Sequence, residues 1–214
     1  MKKKVLHEQD AQYVINRYIN RIKEHGLTAD SLKSGSNEKQ DIRHAVHISS
    51  LRSEQPNVLD IGCGMASFLQ FMNTQHIVCN YTGYDIVSEY IEYCKKTFIT
   101  SKFELCNVFE DGINGTYDNI ILSQVLNNKY SLSDNMEVMQ RMMTMCYEHC
   151  NIGFSIDMMS DYVDFKSEEL YYYNPEKIFA FAKTLSKRVI IRHDYRPYEF
   201  CVQVFKPDAA GFVA

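Results

Sequence analysis

The stretch Asn57-Val58-Leu59-Asp60-Ile61-Gly62-Cys63-Gly64-Met65-Ala66-Ser67 constrains this chain more than any other. A short apolar run breaks into a glycine-rich turn and continues as the amphipathic segment Phe68-Leu69-Gln70-Phe71-Met72. Strand, tight turn and helix in that order bring backbone N–H groups and a helix N-terminus to one point. Gly62 and Gly64 can take positive φ and let a ligand lie against bare backbone. Asp60 stands near the carboxyl end of the strand, where open α/β sheets bind their ligands.

Beyond the turn the pattern alternates. Strands are expected at 57–61, 79–85, 102–107, 118–123 and 151–157, with helices at 67–73, 88–98 and 133–150 between them. Tyr90, Ile91 and Cys94 face inward in the second of these helices. Met136, Met139, Met142, Met143 and Cys146 recur at helical spacing in the third, where they read as soft core filling. Residues 158–173 lose the period and carry Tyr162, Phe165 and Tyr171 to Tyr173, a lid wall or a tyrosine-rich surface loop. Asn174 caps a further helix with Pro175 at its first position. Strands at 187–193 and 199–206 are joined only by Asp194-Tyr195-Arg196-Pro197-Tyr198, a connection too short for parallel neighbours. The fold class is therefore α/β: a seven-stranded, mainly parallel sheet with helices on both faces, closed by a C-terminal antiparallel hairpin.

Ahead of the sheet, residues 7–25 form a helix with Val14, Ile15, Tyr18, Ile19 and Ile22 on one face, stopped by Gly26. Ser34-Gly35-Ser36 breaks the chain. A second helix runs to about Leu51, with Ile42, Val46 and Leu51 inward. These helices either pack on the sheet or cap the ligand site, presenting Gln40, Arg43 or His44 to an anionic or polar group. A single domain over 1–214 follows, with a helical cap at 1–52, a core at 53–206 and a tail at 207–214.

The formal net charge of −4 gives no general electrostatic reason to bind nucleic acid, and Lys2, Lys3 and Lys4 read as a solvated tail. The seven cysteines are an odd number with no Cys-x-x-Cys pair, which suits a reduced compartment and argues against zinc. Neither a signal peptide nor a run of about 18 apolar residues is present. A cytoplasmic, membrane-free protein, monomer or homodimer, is expected.

A dinucleotide fingerprint would place its third glycine at Ser67, and no phosphate-cradling G-x-x-x-x-G-K-[ST] loop occurs. A nucleoside-like ligand remains, with Asp85 one strand over to accept from both ribose hydroxyls. Here Val58-Leu59-Asp60-Ile61-Gly62-Cys63-Gly64 resembles the first motif of the class I S-adenosylmethionine-dependent methyltransferases. The resemblance continues through Gly83-Tyr84-Asp85, Asn107 and Tyr117-Asp118-Asn119-Ile120-Ile121, and covers residues 57–206. It implies S-adenosyl-L-methionine as cofactor. Asp60, Gly62, Cys63 and Gly64 would line the methionine and sugar part, and Asp85 would hold the ribose. Ile86 would pack on the adenine, Asn107 would read its amino group, and Ser123 and Gln124 would face the sulfonium. Arg43 joins this set from the cap. Ala66 stands where many members have another glycine. No Asn/Asp-Pro-Pro-Tyr/Phe follows the fourth strand; Ser123-Gln124-Val125-Leu126-Asn127-Asn128 stands there, which argues against nucleic-acid amide or protein-glutamine acceptors.

Methyl transfer from a sulfonium is an in-line displacement in which alignment alone supplies on the order of 7–11 kcal/mol. His193 and Asp157 are the candidate bases, and Tyr195, with Tyr198, a candidate for orienting a small-molecule acceptor. Two other readings stay open. One is non-methyl use of the same sulfonium, by aminopropyl-carbon attack or cyclisation to azetidine-2-carboxylate with release of methylthioadenosine. The other is a non-catalytic cofactor-binding module.

Overall fold

The computed structural model describes residues 5–32 and 36–209. The Lys2 to Lys4 run and the Ser34-Gly35 part of the chain break lie outside them. Among the described residues one sheet holds seven strands: β1 (Asn57–Ile61), β2 (Asn80–Asp85), β3 (Lys102–Leu105), β4 (Tyr117–Leu122), β5 (Cys150–Met159), β6 (Arg188–Arg196) and β7 (Glu199–Phe205). Their order is β3-β2-β1-β4-β5-β7-β6. The first five are parallel, and β7 runs antiparallel to both β5 and β6. Strand order reverses beside β1, where the chain leaves toward β2 on one side and β4 lies on the other. That switch point is where an open α/β sheet opens a crevice.

The helices are α1 (Glu8–His25), α2 (Ala29–Leu32), α3 (Asn37–Ile48), α4 (Ser67–Thr74), α5 (Ser88–Thr97), α6 (Val108–Asp111), α7 (Asn135–His149) and α8 (Pro175–Leu185). Two apolar clusters divide them between the faces. Leu59, Ile61, Ile120, Leu122, Phe154 and Ile156 pack with Met139, Met142, Met143 and Cys146 of α7 and with Ile178 and Ala182 of α8. Val58, Tyr81 and Ile121 pack instead with Phe68, Leu69 and Met72 of α4 and Ile91 and Cys94 of α5. Neighbouring positions of β1 and β4 thus serve opposite faces, so a continuous apolar run suits a strand buried on both sides.

Two expectations need correction. Strand β6 reaches Arg196, so Asp194 and Tyr195 lie in the strand and only Pro197 and Tyr198 form the turn. The register shifts between Arg192 and Arg196, and this irregularity absorbs the polar residues that read as loop. In α3, Ile42 is 37% exposed, whereas Gln40, Arg43, His44 and His47 are buried beside Val46. The surface beneath α3 is polar. Ser155 and Asp157 of β5 reach His47, and Gln203 of β7 donates to the Val46 carbonyl and to Ser49 Oγ. The helix pairs its polar stripe with that surface, as buried polar groups require.

Candidate cofactor and acceptor site

At the end of β1 the chain turns on Gly62 (φ 75°) and Gly64 (φ 52°). The Gly62 and Cys63 N–H groups donate to the Tyr84 carbonyl at 2.7 and 3.0 Å, tying the turn to β2. A Cβ on Gly62 would lie 2.5 Å from Val125 Cγ2, and one on Gly64 2.7 Å from Leu32 Cδ2. Gly62 thus suits glycine for space as well as for φ, and Gly64 chiefly for φ, since the Leu32 side-chain end can shift. Ala66, in the place of another glycine, adopts φ 57°, ψ 39° and opens α4 without a side-chain cap. That left-handed alanine shows why glycine suits the position and costs about 1–2 kcal/mol.

The cavity above this turn spans the switch point. Asp60, Gly62, Cys63, Gly64 and Ser67 line its β1 side; Asp85 ends β2, and Ile86 and Val87 follow it; Asn107, Val108 and Phe109 close the far end; Ser123, Gln124 and Val125 follow β4. Asp85 is buried, with Oδ2 accepting from Gly64 N–H at 2.8 Å and Oδ1 from Val87 N–H at 2.9 Å. Burial pushes its carboxyl up and these bonds pull back, leaving it at about 6. Asp60 takes a 2.5 Å bond from Tyr81 Oη and is likewise raised by burial to about 6. Asn107 Oδ1 caps the short α6 through Phe109 N–H at 3.2 Å. Every residue assigned above to the cofactor, Arg43 included, lines this one cavity.

The N-terminal segment forms the roof. Leu6, Ala11, Val14 and Tyr18 line the cavity from the α1 side, and Gln40, Arg43 and His44 from α3. Asp10, 4% exposed, clasps α1 to the chain beyond β4. It accepts from the N–H groups of Ser131 (2.9 Å), Leu132 (3.1 Å) and Ser133 (2.7 Å) and from Ser133 Oγ (2.7 Å). Burial raises the Asp10 carboxyl, but these four donors outweigh it and hold it below its usual range. Farther along, Arg17 donates to Asn128 Oδ1 and to Glu169 Oε2, each at 2.8 Å. Arg43 grips Glu199 with Nε at 2.6 Å and Nη2 at 2.8 Å.

The residues expected to do chemistry stand elsewhere. Asp157 is buried behind the wall and is not part of the cavity lining. Its Oδ2 meets His47 Nε2 at 3.0 Å and Ser123 Oγ at 2.9 Å, and its Oδ1 accepts from Gln124 N–H at 2.6 Å and Gln124 Nε2 at 2.9 Å. Burial raises Asp157, yet His47, Arg43 and the Gln124 N–H hold it net below its usual value. Burial likewise depresses His47, but Asp157 and Cys201 lift it to about 10, so the pair is ionic. Asp157 thus pins Gln124 in its left-handed conformation (φ 60°), while Asn127 Nδ2 holds Gln124 Oε1 at 2.8 Å. His193 packs on Phe200 and Tyr162, ring centres 5.9 and 6.3 Å away, and Tyr195 hides its hydroxyl without a partner. Neither lines the cavity.

Sequence reasoning passed over Asp10, His47, Tyr18 and Tyr130. The first two sat among polar residues with no motif spacing. The tyrosines line the cavity, Tyr18 from α1, on the face read as inward, and Tyr130 from the chain beyond β4. Tyr173, read as part of a lid wall or surface loop, is buried and donates from Oη to the Leu126 carbonyl at 2.8 Å.

The family model of the methyltransferase domain matches residues 52–182. The Mycobacterium tuberculosis protein Rv1506c, named as a methyltransferase, is 25% identical over 155 residues, which is 70% of this chain and 93% of that protein. Magnesium protoporphyrin IX methyltransferase from Synechocystis PCC 6803, solved with bound SAH, superposes with a TM-score of 0.66 at 12% identity, covering 92% of this chain and 99% of that one. An S-adenosylmethionine-dependent methyltransferase from Archaeoglobus fulgidus gives 0.62 at 16% identity over 80% and 95%. The plantazolicin methyltransferase BpumL, solved with a desmethyl substrate analogue and SAH, gives 0.59 at 13% identity over 92% and 99%. With its glycine turn, its closing β5-β7-β6 arrangement and more than half its length matched, the chain belongs to the methyltransferase-domain family.

Proposed function

We propose that this protein is a transferase that binds S-adenosyl-L-methionine and methylates a small-molecule acceptor. The observation that carries the cofactor is the cradle at the switch point, two glycines at positive φ and a buried Asp85 that lines the cavity. Each Asp85 oxygen takes one backbone N–H, which leaves lone pairs for two ribose hydroxyls. Ile86, Val108 and Phe109 suit the adenine, and the Asn107 amide is placed to read its edge. Asp60 and the 62–64 backbone suit the sugar and amino-acid portion. When bound, the sulfonium supplies an activated methyl group.

The chain's own contribution is alignment and exclusion of water. Asp157 orders Ser123 and Gln124 at the end of β4, where an acceptor would meet the methyl group. In this reading Asp157 is a positioning residue, not a base, and His193 and Tyr195 stay outside the chemistry. The roof of α1 and α3 favours an acceptor small enough to be enclosed. Relatives of this fold carry names that point the same way: magnesium protoporphyrin IX in one and plantazolicin in another. The net charge of −4 supports an acceptor other than nucleic acid. Seven free cysteines support a reducing, cytoplasmic setting. Among the described residues, no helix is long and apolar enough to cross a membrane.

Titration calorimetry with S-adenosylhomocysteine tests the cofactor. Binding that Asp85→Ala weakens about tenfold or more is expected, since a hydrogen-bonded charge is removed from a buried site. Equal affinity in the variant would sink the ribose assignment. Mass spectrometry after incubation with S-adenosylmethionine alone tests the reaction class, because methylthioadenosine formed without acceptor would overturn methyl transfer.

A further inference from the structure

The strand β3 is one edge of the sheet and pairs with β2 alone. Just past it, the Cys106 N–H reaches the Asp85 carbonyl of β2 at 2.9 Å. By the two-residue alternation of a strand, Lys102 and Glu104 turn their backbone groups the same way. The N–H and C=O groups of Phe103 and Leu105 therefore point away from β2, along the free edge. The Phe103 side chain is buried against Tyr81 and Phe98, whereas Leu105 is 58% exposed. Lys102 and Glu104 are exposed too, and neither joins a salt bridge among the described residues.

A free edge recruits other strands, and natural sheets blunt it with charge. Here the two charges have opposite sign and flank a single residue, so they select a register instead of only repelling. A two-fold antiparallel pairing centred on Lys102 or on Glu104 would oppose like charges. One centred on Leu105 would set Glu104 against Cys106 and leave Lys102 unmatched. Centring on Phe103 opposes Lys102 of each copy to Glu104 of the other, two complementary pairs from one axis. The backbone favours the same choice. Both Phe103 residues then exchange N–H and C=O across the axis, and the charged residues become the non-hydrogen-bonded pairs, whose side chains approach most closely. The opposite edge, β6, has no such unmatched charges: Arg192 pairs with Asp194, and Arg188 donates to the Ala209 carbonyl.

We propose that β3 is a docking edge for a second copy of this chain, the two strands pairing antiparallel about a two-fold axis at Phe103. The two seven-stranded sheets then join into one. Leu105 falls diagonally beside Phe103 of the second copy, which covers part of its exposed surface. Antiparallel pairing sends the carboxyl ends of the two parallel sets of strands in opposite directions. The two cavities therefore open at opposite ends, and each site is complete within its own chain. The dimer stands apart from the cofactor reading for that reason, and either can fail without the other.

Sedimentation velocity of the full chain over a range of concentrations is expected to show a monomer–dimer equilibrium. Lys102→Glu and Glu104→Lys each oppose like charges at both symmetric points. Each is expected to weaken association about tenfold or more, with the circular dichroism of the wild type retained. Mixing the two variants restores opposite charges at every pair, and so does the exchanged double variant Lys102→Glu/Glu104→Lys. Both should regain the wild-type dimer. Amide hydrogen exchange gives a reading that needs no variant, because protection of the Phe103 N–H should rise with protein concentration. A wild-type chain that stays monomeric, single variants that associate as tightly as the wild type, or a mixture no more dimeric than its components would each overturn the proposal. Phe103 protection that does not change with concentration would overturn it equally, even where a variant does not fold.

Discussion

Removing the Asp10 carboxylate should release the roof and leave the sheet intact. Asp10 is the buried acceptor for three successive backbone N–H groups and one hydroxyl in 131–133, all within 3.1 Å. A hydrogen bond to a charged group is worth about 1.5–3 kcal/mol, and four such bonds to one carboxylate do not add. Water can replace part of the pairing once α1 lifts, so about 2–3 kcal/mol is the expected cost of Asp10→Ala. That is a factor on the order of 30–150 in the equilibrium between closed and open roof. The effect is local because the cavity-lining Ala11, Val14 and Tyr18 belong to α1, with Leu6 just ahead of it, and that helix has few contacts with the sheet strands. Hydrogen exchange should show lost protection across Glu8–His25, with β1, β4 and β5 unchanged, and S-adenosylhomocysteine should dissociate faster. The pH dependence has a definite sign. The folded carboxyl sits below its usual value of 3.8, so the clasp is at full strength above that value and fails as pH falls through the lower, folded one. Unaltered exchange in α1, or an equal loss in α1 and β4, would refute the idea of a separately clasped roof.

Breaking the His47–Asp157 pair should cost more and act globally. Asp157→Ala leaves the His47 imidazolium buried and frees Gln124, a change worth about 3–5 kcal/mol. For a domain of this size it lowers the thermal midpoint by roughly 6–20 °C in calorimetry. His47 is raised to about 10, so its contribution is complete below its unfolded value of 6.5 and disappears as pH climbs through 10; the wild-type midpoint should fall across that interval, and Asp157→Ala should flatten the fall. Gly62→Ala should abolish S-adenosylhomocysteine binding while the far-ultraviolet circular dichroism is retained, because φ 75° and a 2.5 Å approach to Val125 Cγ2 displace the turn. Wild-type affinity in that variant would show that the turn does not touch the cofactor.

Elements governed by local physics could be read ahead of the fold. The apolar runs, the 62–64 turn and the carboxylate at the end of β2 are each decided within a few residues and stand where expected, and the final connection is an antiparallel one as expected, though shorter than 194–198. Residues decided by distant partners were misread. Ile42 looked inward because apolar periodicity assumes an apolar partner surface. The surface α3 meets is built from Ser155, Asp157 and Gln203, more than 100 positions away, and a polar stripe is what such a surface selects. Distant partners also decide where Asp157 and His193 sit. Both lie near strand ends on the working edge, and strand position alone cannot say which way a side chain turns. In β5, Phe154 and Ile156 face α7 and α8, so Ser155 and Asp157 must face α3. Asp157 is consequently neutralised by His47 before any ligand arrives. A group already satisfied by four hydrogen bonds has little left to offer an acceptor.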